Sequence, residues 1–342
     1  MPGVVSAAVG QVDPADERDI PVRLALVPDH EQLTPTSTGQ DVRMLQTYDE
    51  RNADVRYWVN GRLHHRDEPG ISPFDSVVQG GDAVWEGLRL YDGRIFGLYP
   101  HLDRLRRSAA ALGFAAVPPR AEIIAAICET LRANEMRDGV HVRLTLTRGV
   151  KVTSGMDPRL NRSGCTLIVL AEHKAPVYDT GGLTLVTASV RRPGPDVLDP
   201  KIHHNNLLNS ILAKMEANVA GADDALMLDG RGFVAETNAT NLFAVLDGTL
   251  ATPRSLACPE GITRATVLSL APPAGIRTEV RDLSLAEMYA ADEVFCTGTM
   301  GEIAGITTID GRPIGAGTTG PVTAQIADLY RAHAAATGTP VL

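Results

Sequence analysis

A lysine stands in the stretch "PKIHHNN" (200–206), directly ahead of the helix-patterned run "LLNSILAKMEANVAG". Of the 32 basic residues only Lys151, Lys174, Lys201 and Lys214 are lysine, so chemistry that needs a primary amine has four suppliers. Three other segments put polar groups where strands and turns would otherwise carry core. In "CPEGITRATV" (258–267), Gly261 breaks a loop just before Ile262 and Thr263 open a helix. Backbone N–H groups and a hydroxyl can there meet an anion on the helix dipole, although an ordinary N-cap gives the same pattern. In "CTGTMGEI" (296–303) a Thr-Gly-Thr turn can form a small anion nest or simply turn the chain. In "VAETNATNLFAV" (234–245), Glu236 follows a strand and precedes small polar residues, as at a site or in a surface hairpin.

The elements that must position these groups are legible as periodicity and punctuation. Asn60-Gly61 and Asp92-Gly93 separate strand-like runs as two-residue hairpin turns. Segments 99–114 and 121–136 carry apolar residues at spacings of three and four, and Pro118-Pro119 divides them into two amphipathic helices. Strand-like runs at 140–149 and 165–173 complete an α+β unit. Strand signals resume at 183–192, a helix is expected over about 206–220, and Asp229-Gly230 and Asp247-Gly248 mark further hairpins before a last helix at about 320–336. The expected organisation is an N-terminal extension at 1–53, a small α+β domain at 54–174, a linker at 175–182 and a larger domain at 183–342. The class is α+β with two domains and mainly antiparallel sheets.

Composition narrows the partners. A net charge of −9 gives the 342-residue chain no overall attraction for nucleic acid or anionic lipid, though a local basic pocket can hold one small anion. No apolar run is long enough for a membrane span, and Asp13, Asp16, Glu17 and Asp19 replace the basic head of a secretory signal. Cys128, Cys165, Cys258 and Cys296 lack metal-ligand spacing, so no metal site and no disulfide framework is expected, and a reducing cytoplasm fits.

Together "HLDRL", "VAETNATNLF", "GITRATV" and "TGTMGEI", in this order and at these separations, resemble the fold-type IV (class IV) aminotransferases over about residues 55–337. Those enzymes use pyridoxal 5'-phosphate and include branched-chain amino acid, D-amino acid and (R)-amine transaminases and aminodeoxychorismate lyase. The resemblance implies the D-amino acid aminotransferase-like fold and a homodimer. It makes Arg104 the clamp of the cofactor phosphate, Ile262 and Thr263 the helix N-terminus under the same group, and Thr299 its closure on the other side. Glu236 becomes the carboxylate that keeps the pyridine nitrogen protonated. Pro259 departs from the family, where a leucine often packs on the ring. The implied activity is transamination of a branched-chain or similar apolar amino acid, with 2-oxoglutarate as acceptor. D-amino acid, (R)-amine and lyase activities are the alternatives.

The same resemblance requires a Schiff-base lysine, commonly three or four residues before the helix-leading asparagine and often within Asp-Pro-x-x-Lys. Here Asp199-Pro200-Lys201-Ile202-His203 puts histidine in the fifth place, and counting back from Asn206 gives the same result. Lys201 is the expected Schiff-base lysine, catalytic and cofactor-binding, displaced by two residues or about 6.6 Å of extended chain. The alternative is a relative that has lost this lysine and binds the cofactor noncovalently, with His203 and His204 able to serve as bases.

Overall fold

Three of the expected Asn-Gly and Asp-Gly pairs do what their residue types allow, whereas Asp229-Gly230 opens a longer turn in which Gly232 takes the positive φ of 89° and the Asp229 amide donates to the Phe233 carbonyl at 2.7 Å. Asn60, Asp92 and Asp247 have φ of 43°, 43° and 48° and their following glycines 90°, 71° and 71°, the double positive φ of tight hairpins. The computed structural model describes residues 45–176, 178 and 181–342. Most of the expected N-terminal extension therefore lies outside the described residues. Its last part belongs to the fold: Asn52 is buried and exchanges two hydrogen bonds of 2.8 Å with the backbone of His173.

The first sheet is built from β1 (Arg56–Val59), β2 (Arg62–His65), β3 (Ala83–Tyr91), β4 (Arg94–Ile95), β5 (Val140–Thr147) and β6 (Thr166–His173). A short helix α1 (Ser76–Gly80) precedes β3, and α2 (Leu98–Ala111) and α3 (Arg120–Ala133) follow β4. Apolar residues of α2 and α3, among them Leu102, Leu105, Ile123 and Ile127, are fully buried in one core with Leu88, Val142 and Val169 of the strands. That burial, rather than helix propensity, fixes the two helices on the sheet.

The second half comprises β7 (Leu183–Thr187), α4 (Leu208–Val219), β8 (Asp224–Leu228), β9 (Val234–Thr237), β10 (Asn241–Leu246) and β11 (Thr249–Thr252). There follow α5 (Ile262–Leu270), β12 (Arg277–Val280), α6 (Leu285–Ala290), β13 (Glu293–Gly298), β14 (Glu302–Ile309), β15 (Arg312–Pro313) and α7 (Pro321–Thr337). The sheet runs β12-β11-β10-β13-β14-β7-β8-β9, with β15 on β14. It is mixed: β11/β12, β14/β7 and β7/β8 are parallel and the other pairs antiparallel. After α7 the chain returns to the first sheet, where β16 (Thr339–Pro340) pairs with β4, so the C-terminus joins the sheet built by the first half.

The segment between the sheets is tied down at Tyr178, which is buried and donates its hydroxyl to Asp224 at 2.6 Å. A second crossing is made by residues 202–205. Ile202 packs on the core of the first sheet, the Trp85 amide donates to the His203 carbonyl at 2.9 Å, and the Asn205 amide donates to the Ala83 carbonyl at 2.8 Å. The "PKIHHNN" stretch is thus a short edge laid along the start of β3.

Candidate active site

Two buried acids organise the polar groups between the sheets. Glu86, on β3, is fully buried and receives Arg104 as a fork, Nε to Oε1 at 2.8 Å and Nη2 to Oε2 at 2.6 Å. Helix periodicity puts His101 one turn before Arg104, and its Nδ1 donates to the same carboxylate at 2.7 Å. Burial pushes the Glu86 carboxyl up, but the Arg104 guanidinium and the hydrogen bond from His101 override it and hold it well below the usual carboxylate range. The Arg104 Nη1 donates to the Glu260 carbonyl at 2.9 Å, which sets the guanidinium beside the start of α5.

That start is shaped for an anion. Gly261 is the N-cap of α5, and no side chain caps the helix among the described residues, so the first-turn N–H groups of Ile262 and Thr263 face outward without a side-chain acceptor. A Cβ at Gly261 would overlap the Asn241 side chain, so only glycine lets the backbone come this close. On β13, paired opposite Asn241, Thr297 is buried with an Oγ1 that has no partner among the described residues. Thr299 lies in the turn after β13, half-buried.

The second acid is Glu236 on β9, 5% exposed. The Arg192 Nη2 lies 2.7 Å from its Oε1, and Asn241 Nδ2 donates to Oε2 at 3.4 Å. Burial raises its pKa to about 7, with Arg192 and Arg104 pulling the other way. A carboxyl so poised can share a proton with a basic ring nitrogen at neutral pH.

The lysine loop divides. His203 stacks on Trp85 with ring centroids 4.4 Å apart, and its Nδ1 lies 2.5 Å from the Trp85 carbonyl and 3.5 Å from Glu86 Oε1. A carbonyl only accepts, so Nδ1 carries the proton. Burial, followed by Arg104, lowers the pKa of His203 and keeps the ring neutral. His204 is lowered further, to about 4, by burial and Arg192. Arg143 sits over the Trp85 ring at 3.5 Å and donates to the Asn205 side chain at 2.7 Å. Burial lowers the Arg143 pKa to about 10. Lys201 is exposed: its amide donates to Asp199 Oδ1 at 3.0 Å, and its Nζ makes no hydrogen bond or ion pair among the described residues.

Of the residues expected from the sequence, the structure gathers Arg104, Ile262 and Thr263 at one end and Glu236 at the other, with Thr299 in the adjoining turn. It does not bring Lys201 to them. Glu86, Arg192, Asn241 and Thr297 complete the arrangement and were not expected. Thr297 stands in the quoted Thr-Gly-Thr turn, whereas no short-range pattern marks Glu86 or Arg192.

A forked arginine, an open helix N-terminus, an orphaned hydroxyl and a buried acid of raised pKa are the groups that a phosphorylated, nitrogen-containing ring would need. The amino-transferase class IV family model matches residues 83–309, and the chain belongs to that family, whose members work with pyridoxal phosphate. The Arabidopsis thaliana branched-chain-amino-acid aminotransferase-like protein 2 is 55% identical over 291 residues, 85% of this chain and 52% of that protein. The chain thus spans about half the length of that curated relative. The putative branched-chain-amino-acid aminotransferase of Methanocaldococcus jannaschii is 39% identical over 278 residues, 81% of this chain and 96% of the relative. Among solved structures, the branched-chain amino acid aminotransferase from Thermobaculum terrenum in its PLP form superposes with a TM-score of 0.76 at 30% identity, over 85% of this chain and 99% of that one.

Proposed function

We propose that the chain catalyses pyridoxal-phosphate-dependent transamination of a branched-chain or similar apolar amino acid, with 2-oxoglutarate as amino acceptor. The observation that carries this reading is the pairing of an anion cradle, Arg104 with the N-terminus of α5, with the buried Glu236. The relatives named for branched-chain amino acids support the substrate class.

Bound pyridoxal phosphate supplies an electron-accepting ring for the pair released when the substrate Cα–H bond breaks. Arg104, Ile262 and Thr263 hold its phosphate, Thr299 closes that end, and Glu236 keeps a proton at the ring nitrogen. Arg192 orients the Glu236 carboxylate. Trp85 and Arg143 wall the sheet side of the site and exclude water there. Lys201, in the loop ahead of α4, would supply the primary amine that this chemistry needs.

The exposed stripe on α4, formed by Leu208, Ile211, Leu212, Met215 and Val219, supports a homodimer, because an apolar helix face of this extent favours cover. A cytoplasmic enzyme agrees with the four unpaired cysteines. The test is a panel of L-amino acids, D-amino acids and (R)-amines added to cofactor-loaded protein, scored by the loss of the pyridoxal absorption. Response to L-leucine, L-isoleucine and L-valine is expected. Response confined to D-amino acids or (R)-amines would move the substrate class, and no response to any amine would refute transamination.

A further inference from the structure

The hairpin that joins β13 to β14 carries a glutamate where glycine is the usual residue. Its loop is residues 299–301, and the residue that closes it, Glu302, has a φ of 51°. Three-residue hairpin loops end in this left-handed position, which suits glycine and strains a larger side chain. The other left-handed side chains at hairpin turns, Asn60, Asp92, Asp247 and Asp310, are of the two types that visit this region readily. A glutamate held there needs contacts that outweigh the strain, and such positions gather at functional sites.

Glu302 has those contacts. Its Oε1 accepts the Tyr91 hydroxyl at 2.8 Å, and its Oε2 lies 3.9 Å from Arg331 Nε on α7. Tyr91 ends β3, so this bond ties a hairpin of the second sheet to the first sheet. The Tyr91 ring packs against Phe96, Tyr330 and Ala334, and burial pushes its hydroxyl pKa up, which keeps it a donor. The loop is held from another side as well: a Cβ at Gly301 would overlap the Tyr178 ring, and Tyr178 is anchored on Asp224. Two tyrosines, each bonded to a carboxylate, therefore fix the loop.

This loop carries part of the proposed phosphate end. Glu302 pairs directly with Gly298, the residue between Thr297 and Thr299. Thr297 is 2% exposed, its Oγ1 has no partner among the described residues, and it stands opposite Asn241, on which Gly261 closes. A shift of Glu302 thus reaches both threonines through the residue next to each. Among the described residues neither Glu302 nor Tyr91 bonds to Glu236 or Arg192, the pair at the other end of the site.

We infer that Glu302, anchored by Tyr91, is a positioning residue for the cofactor phosphate, fixing the 299–301 loop so that the hydroxyls of Thr297 and Thr299 are set for that group. The inference rests on the proposed cofactor site and adds to it a tie between the two sheets. Loss of the tie then weakens the hold on the phosphate and leaves the hold on the ring.

The test titrates full-length protein, stripped of cofactor, with pyridoxal phosphate and with pyridoxal, which lacks the phosphate, and follows absorption. The variants are Glu302→Gly, which suits the left-handed backbone but drops the tie, Tyr91→Phe, which removes only the hydroxyl, and the two combined. Each single variant is expected to bind pyridoxal phosphate about tenfold more weakly, with pyridoxal affinity changed by less than about twofold. Because both changes break one tie, the double variant is expected to match the singles rather than multiply them to about a hundredfold. A merely structural role would weaken both ligands alike. Unchanged affinity for pyridoxal phosphate, equal losses for the two ligands, or multiplied losses in the double variant would each overturn the inference and leave the cofactor site standing. A wild-type protein that binds no pyridoxal phosphate would overturn both. Should Glu302→Gly fail to fold, Tyr91→Phe measured with the two ligands decides the matter.

Discussion

Replacing Arg104 by methionine tests whether the proposed phosphate clamp is also a structural partner of Glu86. The side chain is 8% exposed and its three donated hydrogen bonds, two to Glu86 and one to the Glu260 carbonyl, are all lost. Breaking a buried ion pair while leaving its partner in place costs about 3–5 kcal/mol, whereas an exposed pair contributes about 1 kcal/mol or less. His101 remains on Glu86, so the low end of the buried range, about 3 kcal/mol, is expected for Arg104→Met. Urea unfolding of wild type and variant, both without cofactor, measures it. The sign of the pH dependence follows from the Glu86 carboxyl being held well below the usual range. Its contribution is present above the unfolded carboxylate pKa of about 4.3 and is lost as the pH falls through the folded value. Without Arg104 the carboxyl takes up its proton at higher pH, so the deficit of the variant is largest near neutrality and shrinks toward acid. A deficit below about 1 kcal/mol at pH 7 would show that the pair behaves as a solvated one and would refute this account of Glu86.

Glu236 has the opposite sign. Its pKa is raised to about 7 by burial, so wild-type stability falls as the pH rises from the usual carboxylate range to 7. Glu236→Gln should flatten that slope in cofactor-free urea titrations, by up to about 3 kcal/mol across the window, while weakening cofactor-dependent activity. Gly261→Ala introduces a methyl group onto the Asn241 side chain at the entrance of α5. It should cost about 1–3 kcal/mol in thermal or urea unfolding and lower cofactor affinity about tenfold or more in absorption titrations. Met215→Glu, at a 56% exposed position on the α4 stripe, should leave the unfolding of the monomer little changed. By light scattering the wild type should run as the proposed dimer and the variant as a monomer.

Local chemistry makes much of this molecule legible in its sequence. The hairpin turns follow from Asn-Gly and Asp-Gly pairs that tolerate positive φ, and α2 and α3 follow from apolar spacing that needs one buried face. Gly261 is readable as a helix entry because it breaks the loop just before Ile262 and Thr263. What stays hidden depends on contacts across the chain. Glu86 lies in a strand whose pattern offers no reason for a buried acid until Arg104 and His101 arrive from α2. Arg192 gains its meaning only when β9 brings Glu236 within 2.7 Å. The return of Thr339–Pro340 to the first sheet is set by packing after α7 and not by two residues of strand propensity. The path of residues 202–205 is not legible in the sequence because it rests on bonds across the chain, from the His203 amide to Ser108 Oγ, the Trp85 amide to the His203 carbonyl and the Asn205 amide to Ala83.

The transfer of an amino group is the central claim, and isotope tracing reads it directly. Cofactor-loaded protein is incubated with 15N-labelled L-leucine and unlabelled 2-oxoglutarate, and the products are separated by mass spectrometry. Transamination predicts 15N-glutamate and the 2-oxo acid of leucine in equal amounts, dependent on added pyridoxal phosphate and lost with Glu236→Gln. Cofactor bound in the site with no label in glutamate would contradict it.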